Sequence, residues 1–453
     1  MGRQGRPGEK PAGLTRRIGG DVDVAGRLDL PDLQVDWRTK GFLPIEVRGP
    51  GDDGSLTGGG VAAGDRSLFD GSFTWPIMVA KRSALDHNIA TLARFSREHG
   101  LALAPHGKTT MAPALFQAQL DAGAWGISVA TAAQVRICRQ VGVPRVLLAN
   151  EILDGGALRW LAHELGRDVG DAGEQDARQP FDFLCFVDSL EGVRILDEHA
   201  GAVPFGVLVE LGHTGGRSGC RGLPELMKVA QAASEAKGVR LAGVACYEGT
   251  QPGAEEVRAF LRELVKAAET VAPLVEGELI VSAGGSAWFD LVADELASLA
   301  GEVLVILRSG AYIAHDEGFY RERTPYTRSG SRVAGAEMRG ELLPALEVWA
   351  QVLSVPEPGL TLVGMGKRDV PYDLDLPVVR AVRPAARPSG VKPQDLTVVK
   401  ITDQHAYLTG EGLRPGDLLS FGISHPCTAF DKWRAIPVVD DDYAVIDLIN
   451  TYF

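Results

Sequence analysis

The chain has 453 residues, 45% of them apolar and 23% charged, and a formal charge of −13. That length calls for a large domain plus a smaller one, with the composition of an ordinary soluble globular protein. The acidic balance disfavours nucleic acid and anionic membrane as partners, because both need clustered Lys and Arg, and no run approaches the ~18 uncharged apolar residues of a membrane span.

Residues 1–70 form an N-terminal extension rich in Gly, Arg and Asp, including GDDGSLTGGGVAAGD from Gly51 to Asp65. Disorder is expected over the first ~25 residues on composition. The opening MGRQGRPGEKPAGLTRRIGG has arginines but no apolar run behind them, so it does not read as a signal peptide, and a cytoplasmic location is expected. Five cysteines (Cys138, Cys185, Cys220, Cys246, Cys427) form no CxxC pair, so they read as free thiols, or one of them as a ligand. Order is predicted from Trp75, where PIMVAKRSALDHNIATLARFSREHG gives a short strand and then a helix with Leu85, Ile89, Leu92 and Phe95 on one face.

From Leu101, eight short apolar runs alternate with helical patterns: LALAPHGK, WGISVAT, RVLLANEIL, FDFLCFVDS, FGVLVELG, LAGVACYEG, ELIVSAGG and EVLVILRSG. Repeated strand-helix units in this number predict an α/β fold, a (β/α)8 TIM-like barrel over residues 71–320, with a doubly wound open sheet as the alternative. Function in such a barrel collects at the C-terminal strand ends.

The first run ends in His106 and Lys108, and a desolvated amine at a strand end can form a Schiff base with a carbonyl cofactor. The fifth leads into GHTGGRSGCRG with Arg217, and the sixth into Tyr247 and Glu248. The seventh ends in SAGGSAWFD, the eighth in RSGAYIAHD with Arg308, Gly310, Tyr312 and Asp316. The SAGGS turn before a helix suits a phosphate: Gly284 and Gly285 admit close backbone approach, and Ser282 or Ser286 offers a hydroxyl. A Schiff-base lysine, an arginine within reach of a ring heteroatom and a phosphate cradle together describe a pyridoxal phosphate site. His106, Tyr247 and Tyr312 are expected to line its mouth. Glu248 and Asp316 either orient substrate or are simply solvated.

After Tyr320 strands replace helices, and residues 321–453 read as a mostly-β domain that the strand near 75–81 is able to join. Its segment GISHPCTAFDKWR holds His425 and Cys427 one residue apart. In an extended segment residues i and i+2 share a face, so imidazole and thiolate reach one metal ion, and ligands of this softness select zinc over magnesium. Two protein ligands leave positions for substrate oxygens, which fits a catalytic ion.

Over residues 75–453 the chain resembles the fold-type III pyridoxal phosphate enzymes, within them the D-serine dehydratase and D-threonine aldolase family built on the alanine racemase barrel. PHGKTTM, GGRSG, SAGGS, LRSGAY and SHPC carry the resemblance. It implies pyridoxal 5'-phosphate attached to Lys108, Arg217 near its phenolic oxygen, and phosphate contacts from Ser282, Gly284, Gly285, Ser286 and the Gly310–Tyr312 turn. It further implies Zn²⁺, or another divalent metal, on His425 and Cys427, a D-amino acid substrate and a homodimer. The family's aldolases carry an acidic residue where Cys427 stands, so the cysteine implies dehydration, which turns D-serine into pyruvate and ammonia. Ala104, where the family has arginine, and RSG in place of RPG bear on substrate choice. The alternatives are retro-aldol cleavage of D-threonine-like substrates, amino acid racemisation and a non-catalytic pyridoxal phosphate carrier.

Overall fold

The computed structural model describes residues 27–30, 35, 39–42, 66–167, 181–299, 301, 303–328, 331, 342–385 and 390–453. The disorder expected over the first ~25 residues therefore lies outside the described residues. The first named elements of the described residues are β1 (Ile77–Lys81) and α1 (Arg82–Glu98). Eight parallel strands follow: β2 (Ala102–Leu103), β3 (Ile127–Val129), β4 (Arg145–Glu151), β5 (Asp182–Val187), β6 (Phe205–Leu211), β7 (Val239–Cys246), β8 (Ile280–Ala283) and β9 (Leu304–Leu307). They lie in the order β2-β9-β8-β7-β6-β5-β4-β3. The ends of this sheet meet, because Trp125 N–H donates to Leu103 O at 2.7 Å, Ser128 N–H donates to Pro105 O at 2.9 Å, and His106 bridges Ser128. The result is the predicted barrel.

Strands covered on both faces read as unbroken apolar runs, and β6, FGVLVEL, is buried at every position. Ala104, Leu147, Leu184, Phe186, Leu208, Ala245 and Ile306 fill the interior, so it is a packed core and not a pore. Outside it lie α2 (Pro113–Asp121), α3 (Ala132–Gln140), α4 (Gly155–Arg167), α5 (Leu190–His199), α6 (Leu223–Glu235), α7 (Ala254–Val271) and α8 (Phe289–Leu296). Thr131 and Ser189 cap α3 and α5 by accepting from Gln134 N–H and Gly192 N–H. α1 meets α8 where Phe95 stands edge-on to Phe289, 4.8 Å between centroids. A short α9 (Phe319–Arg323) ends this part of the chain.

The second sheet contains β10 (Leu346–Glu357), β11 (Leu360–Val363), β12 (Val378–Arg383), β13 (Thr397–Ile401), β14 (Ala406–Thr409), β15 (Leu418–Gly422), β16 (Ala435–Val439) and β17 (Val445–Asn450). β1 lies inside it, antiparallel to β10 and parallel to β16. The chain end returns to the barrel mouth: Tyr452 N–H donates to Met111 O, three residues beyond Lys108. Among the described residues no helix is long and apolar enough to cross a membrane.

Candidate active site

Lys108 occupies a single 3-10 turn, Gly107–Thr109, directly after β2. Burial lowers its amine pKa from the usual 10.5; Cys427 opposes the shift, and Arg217 and Arg308 reinforce it. A larger share of neutral amine is what a nucleophilic lysine needs. Two positions away, burial and then the charges of Lys108, Arg308 and Arg217 hold His106 well below 6.5, so its ring is neutral. Its Nδ1 is buried and has no hydrogen-bond partner among the described residues. A side chain at Gly310 would place a Cβ 2.7 Å from both the carbonyl oxygen and the Cβ of His106, which is why the turn after β9 carries glycine where it meets the lysine loop. Arg217 is exposed at the rim, its guanidinium 5.5 Å from the centroid of the Tyr247 ring.

The turn after β8 differs from its sequence reading. Gly284 has φ of +97°, and a Cβ there would lie 2.1 Å from Leu307, so the turn requires glycine. The amides of Gly284 and Gly285, expected at a phosphate, instead donate to the Glu248 carboxylate at 3.0 and 2.7 Å. Glu248 is fully buried rather than solvated. The Ser282 hydroxyl is also engaged: it donates to Ile306 O at 3.0 Å and accepts from Arg308 at 2.5 Å. Arg308, 5% exposed, donates in addition to Cys246 O. Tyr312 does not face the mouth. It is buried in the shell outside the barrel, where its hydroxyl accepts from Gln119 Nε2 on α2 at 2.8 Å. Of the turn's predicted phosphate ligands, Ser286 is the one with no hydrogen-bond partner among the described residues.

The segment from the second sheet arrives beside Lys108. Thr109 Oγ1 donates to Cys427 Sγ at 3.8 Å. Cys427 also contacts His425 and the hydroxyl of Tyr320 on α9. The extended geometry expected for His425 and Cys427 is not what brings them together. His425 has left-handed backbone, φ 57° and ψ 83°, and Pro426–Thr428 form a 3-10 turn that swings the thiol toward the imidazole. His425 Nδ1 bonds Asp373 Oδ2 at 2.5 Å, and contact with Cys427, then with Asp373, raises the imidazole pKa to about 9. Ser424 donates to Asp375 and accepts from Phe319 N–H.

Asp316, fully buried, ties the two parts together. Its Oδ1 accepts from the amides of Gly318, Tyr320 and Arg321 at 3.0, 2.9 and 3.2 Å, and its Oδ2 accepts from His425 N–H at 2.9 Å. Burial raises the carboxyl's pKa, against these four amides. Arg308 was named from the sequence at its strand end but given no role, and Tyr320 and Asp373 were not singled out as site residues. Arg308 lay in a motif already in view, whereas nothing local marks Tyr320 or Asp373 as neighbours of a segment some hundred or fewer positions away in the chain.

Comparison with known proteins gives two matches that divide the chain as the two sheets do. Residues 81–300 match the model described as "Alanine racemase, N-terminal domain", and residues 345–439 match "Putative serine dehydratase domain". The chain belongs to the fold-type III pyridoxal phosphate enzymes. Within this group it is similar to the 3-hydroxy-D-aspartate aldolase of Paracoccus denitrificans, 22% identical over 73% of this chain and 79% of the relative. Its fold is that of D-threonine aldolase from Filomicrobium marinum, TM-score 0.68 at 22% identity, covering 84% of this chain and 95% of that one. D-threo-3-hydroxyaspartate dehydratase from Delftia sp. HT23 superposes with a TM-score of 0.61 at 20% identity, over 84% of this chain and 97% of that one.

The residues present fit the family's cofactor. An amine of lowered basicity, a neutral imidazole whose buried Nδ1 has no partner among the described residues, and a rim guanidinium lie close enough to act on one another, and an uncommitted serine sits on the turn after β8. They fit a soft divalent ion too, since a thiol and an imidazole braced by a carboxylate on its other nitrogen form a metal-ligand pair with its supporting residue.

Proposed function

We propose that this protein is a pyridoxal phosphate- and zinc-dependent lyase of D-β-hydroxy amino acids, dehydrating D-serine or a close analogue to a 2-oxo acid and ammonia. The observation that carries the reading is the 3.8 Å contact of Cys427 Sγ with Thr109, because it sets a metal-type thiol beside the candidate nucleophile Lys108. Lys108 would hold the cofactor covalently, with Arg217 at its phenolic oxygen, Tyr247 and His106 beside it, and Ser286 and the Gly310 turn toward its phosphate. When bound, the cofactor supplies an electron sink. His425 and Cys427 would hold the ion, whose Lewis acidity suits a β-hydroxyl leaving group.

The chain's own residues then have separable tasks. Lys108 Nζ, released when substrate binds, accepts the proton from Cα, and its lowered basicity keeps it ready to do so. His106, neutral, stays out of that proton's path as an acid. Arg217 and Tyr247 orient the substrate side of the mouth. The buried Arg308 keeps the floor positively charged.

The test is a panel of D- and L-β-hydroxy amino acids given to the purified, cofactor-loaded protein, with oxo acid, ammonia and aldehyde assayed together. Oxo acid and ammonia from a D-substrate, abolished by chelation, are expected. Glycine plus an aldehyde would overturn dehydration in favour of retro-aldol cleavage, the second reading, which the aldolase relatives favour. The active form on this reading is a homodimer; a monomer mass by light scattering would sink that part.

A further inference from the structure

We infer that Asp316 is a positioning residue that forms the metal site before the ion arrives, setting His425 through its backbone and Cys427 through Tyr320. The inference rests on the proposal that His425 and Cys427 hold a metal. Left-handed backbone is strained for a residue with a Cβ, so contacts around the turn must hold His425 there. Pro426 fixes the backbone that follows, and the His425 amide is directed at Asp316 Oδ2 at 2.9 Å.

Asp316 is a firm anchor for that amide. Three amides at the start of α9 grip its other oxygen, and with no exposed surface the side chain has nowhere to rotate. The same grip orders Tyr320, whose ring lies 6.1 Å from that of His425 and whose side chain stands near Cys427. One carboxylate thereby sets both candidate ligands, one by main chain and one by side chain. It is not itself a ligand, because both of its oxygens accept from N–H groups. Ser424 adds a second tie to α9 through Phe319 N–H, so the turn is held from the barrel side at two successive residues. The barrel thus fixes the geometry of ligands that belong to the other sheet.

The experiment is Asp316→Asn. Asn Oδ1 still serves the three α9 amides, but its NH₂ group then faces the His425 N–H, donor against donor. Zinc affinity of the cofactor-loaded protein, read by competition with a chromophoric chelator, should fall about 10- to 100-fold. The visible absorbance of the cofactor at Lys108 should stay at its wild-type value, and the variant should stay folded with a melting temperature lowered by the one unsatisfied buried amide. Unchanged zinc affinity in folded D316N overturns the inference while leaving the metal reading intact. A wild-type protein that binds no zinc overturns the metal reading itself. Should D316N fail to fold, amide exchange in metal-stripped wild type decides: slow exchange at His425 supports the inference, and protection only after zinc is added overturns it.

Discussion

Lys108 and His425 reach one site from two different sheets, and their surroundings carry opposite charge. Arg217, Arg308 and a neutral His106 gather around Lys108, whereas Asp316, Asp373 and Asp375 hold the turn that carries His425 and its neighbour Ser424. Burial first, and then these cations, lower the basicity of Lys108, as a nucleophilic amine requires. An imidazole among carboxylates is fixed in orientation and made a stronger donor. The barrel half therefore suits an anionic cofactor and an amino acid carboxylate, and the other half suits a cation. On the proposed reaction the two halves would need each other, because neither charge pattern alone would activate a β-hydroxy amino acid.

The comparison breaks most directly at Lys108. Lys108→Ala should lower kcat by about 10³-fold or more and remove the visible absorbance of bound cofactor. A variant that keeps a tenth of wild-type turnover would end the assignment. Next comes Glu248, the carboxylate that acts most strongly on Arg308. Glu248→Ala leaves Arg308 without its nearest counter-charge and two amides without an acceptor, so chemical denaturation should show a loss of about 3 kcal/mol. A loss below about 1 kcal/mol would mean that Arg308 is compensated elsewhere.

Smaller effects sharpen the edges of the comparison. Tyr312→Phe removes the acceptor of Gln119 and should cost roughly 1 kcal/mol, with cofactor affinity unchanged. A tenfold weaker cofactor would return Tyr312 to the mouth. Glu151, at the end of β4, is the exception among the cations: burial, then its contact with Glu210, raises its pKa to about 8. The folded state then holds a proton that the unfolded chain has released, so stability falls as pH rises from about 4.5 to 8. Glu151→Gln should accordingly gain about 1 kcal/mol over wild type above pH 8 and nothing near pH 4.5, allowing for the pair's partial exposure. An equal gain at both pH values would remove the proton from the account.

The barrel was legible because strands buried on both faces write themselves as short apolar runs, and the polar residues that end each run mark the mouth. Lys108, His106 and Arg217, which the structure sets near one another, were picked out that way. Residue order alone could not say which strand-end groups are already spent on neighbours. Ser282 points into the barrel wall and Tyr312 into the helical shell, while Glu248 satisfies the amides that a phosphate was expected to take. The His425 and Cys427 pair was visible as spacing, yet its geometry comes from a left-handed residue and a 3-10 turn, held by Asp316, which lies in another part of the chain. Contacts across such separations leave no local signal, and that is where the sequence reading ended.

The placement of β1 governs how the molecule must be made. It is among the first strands to leave the ribosome, yet its partners β10 and β16 are encoded after the entire barrel. At roughly 5–20 residues per second, an apolar strand with two open edges waits on the order of tens of seconds for its neighbours. During synthesis the segment Ile77–Lys81 is thus in need of shelter, and the candidate site cannot be assembled until the turn carrying His425 and Cys427 has been made.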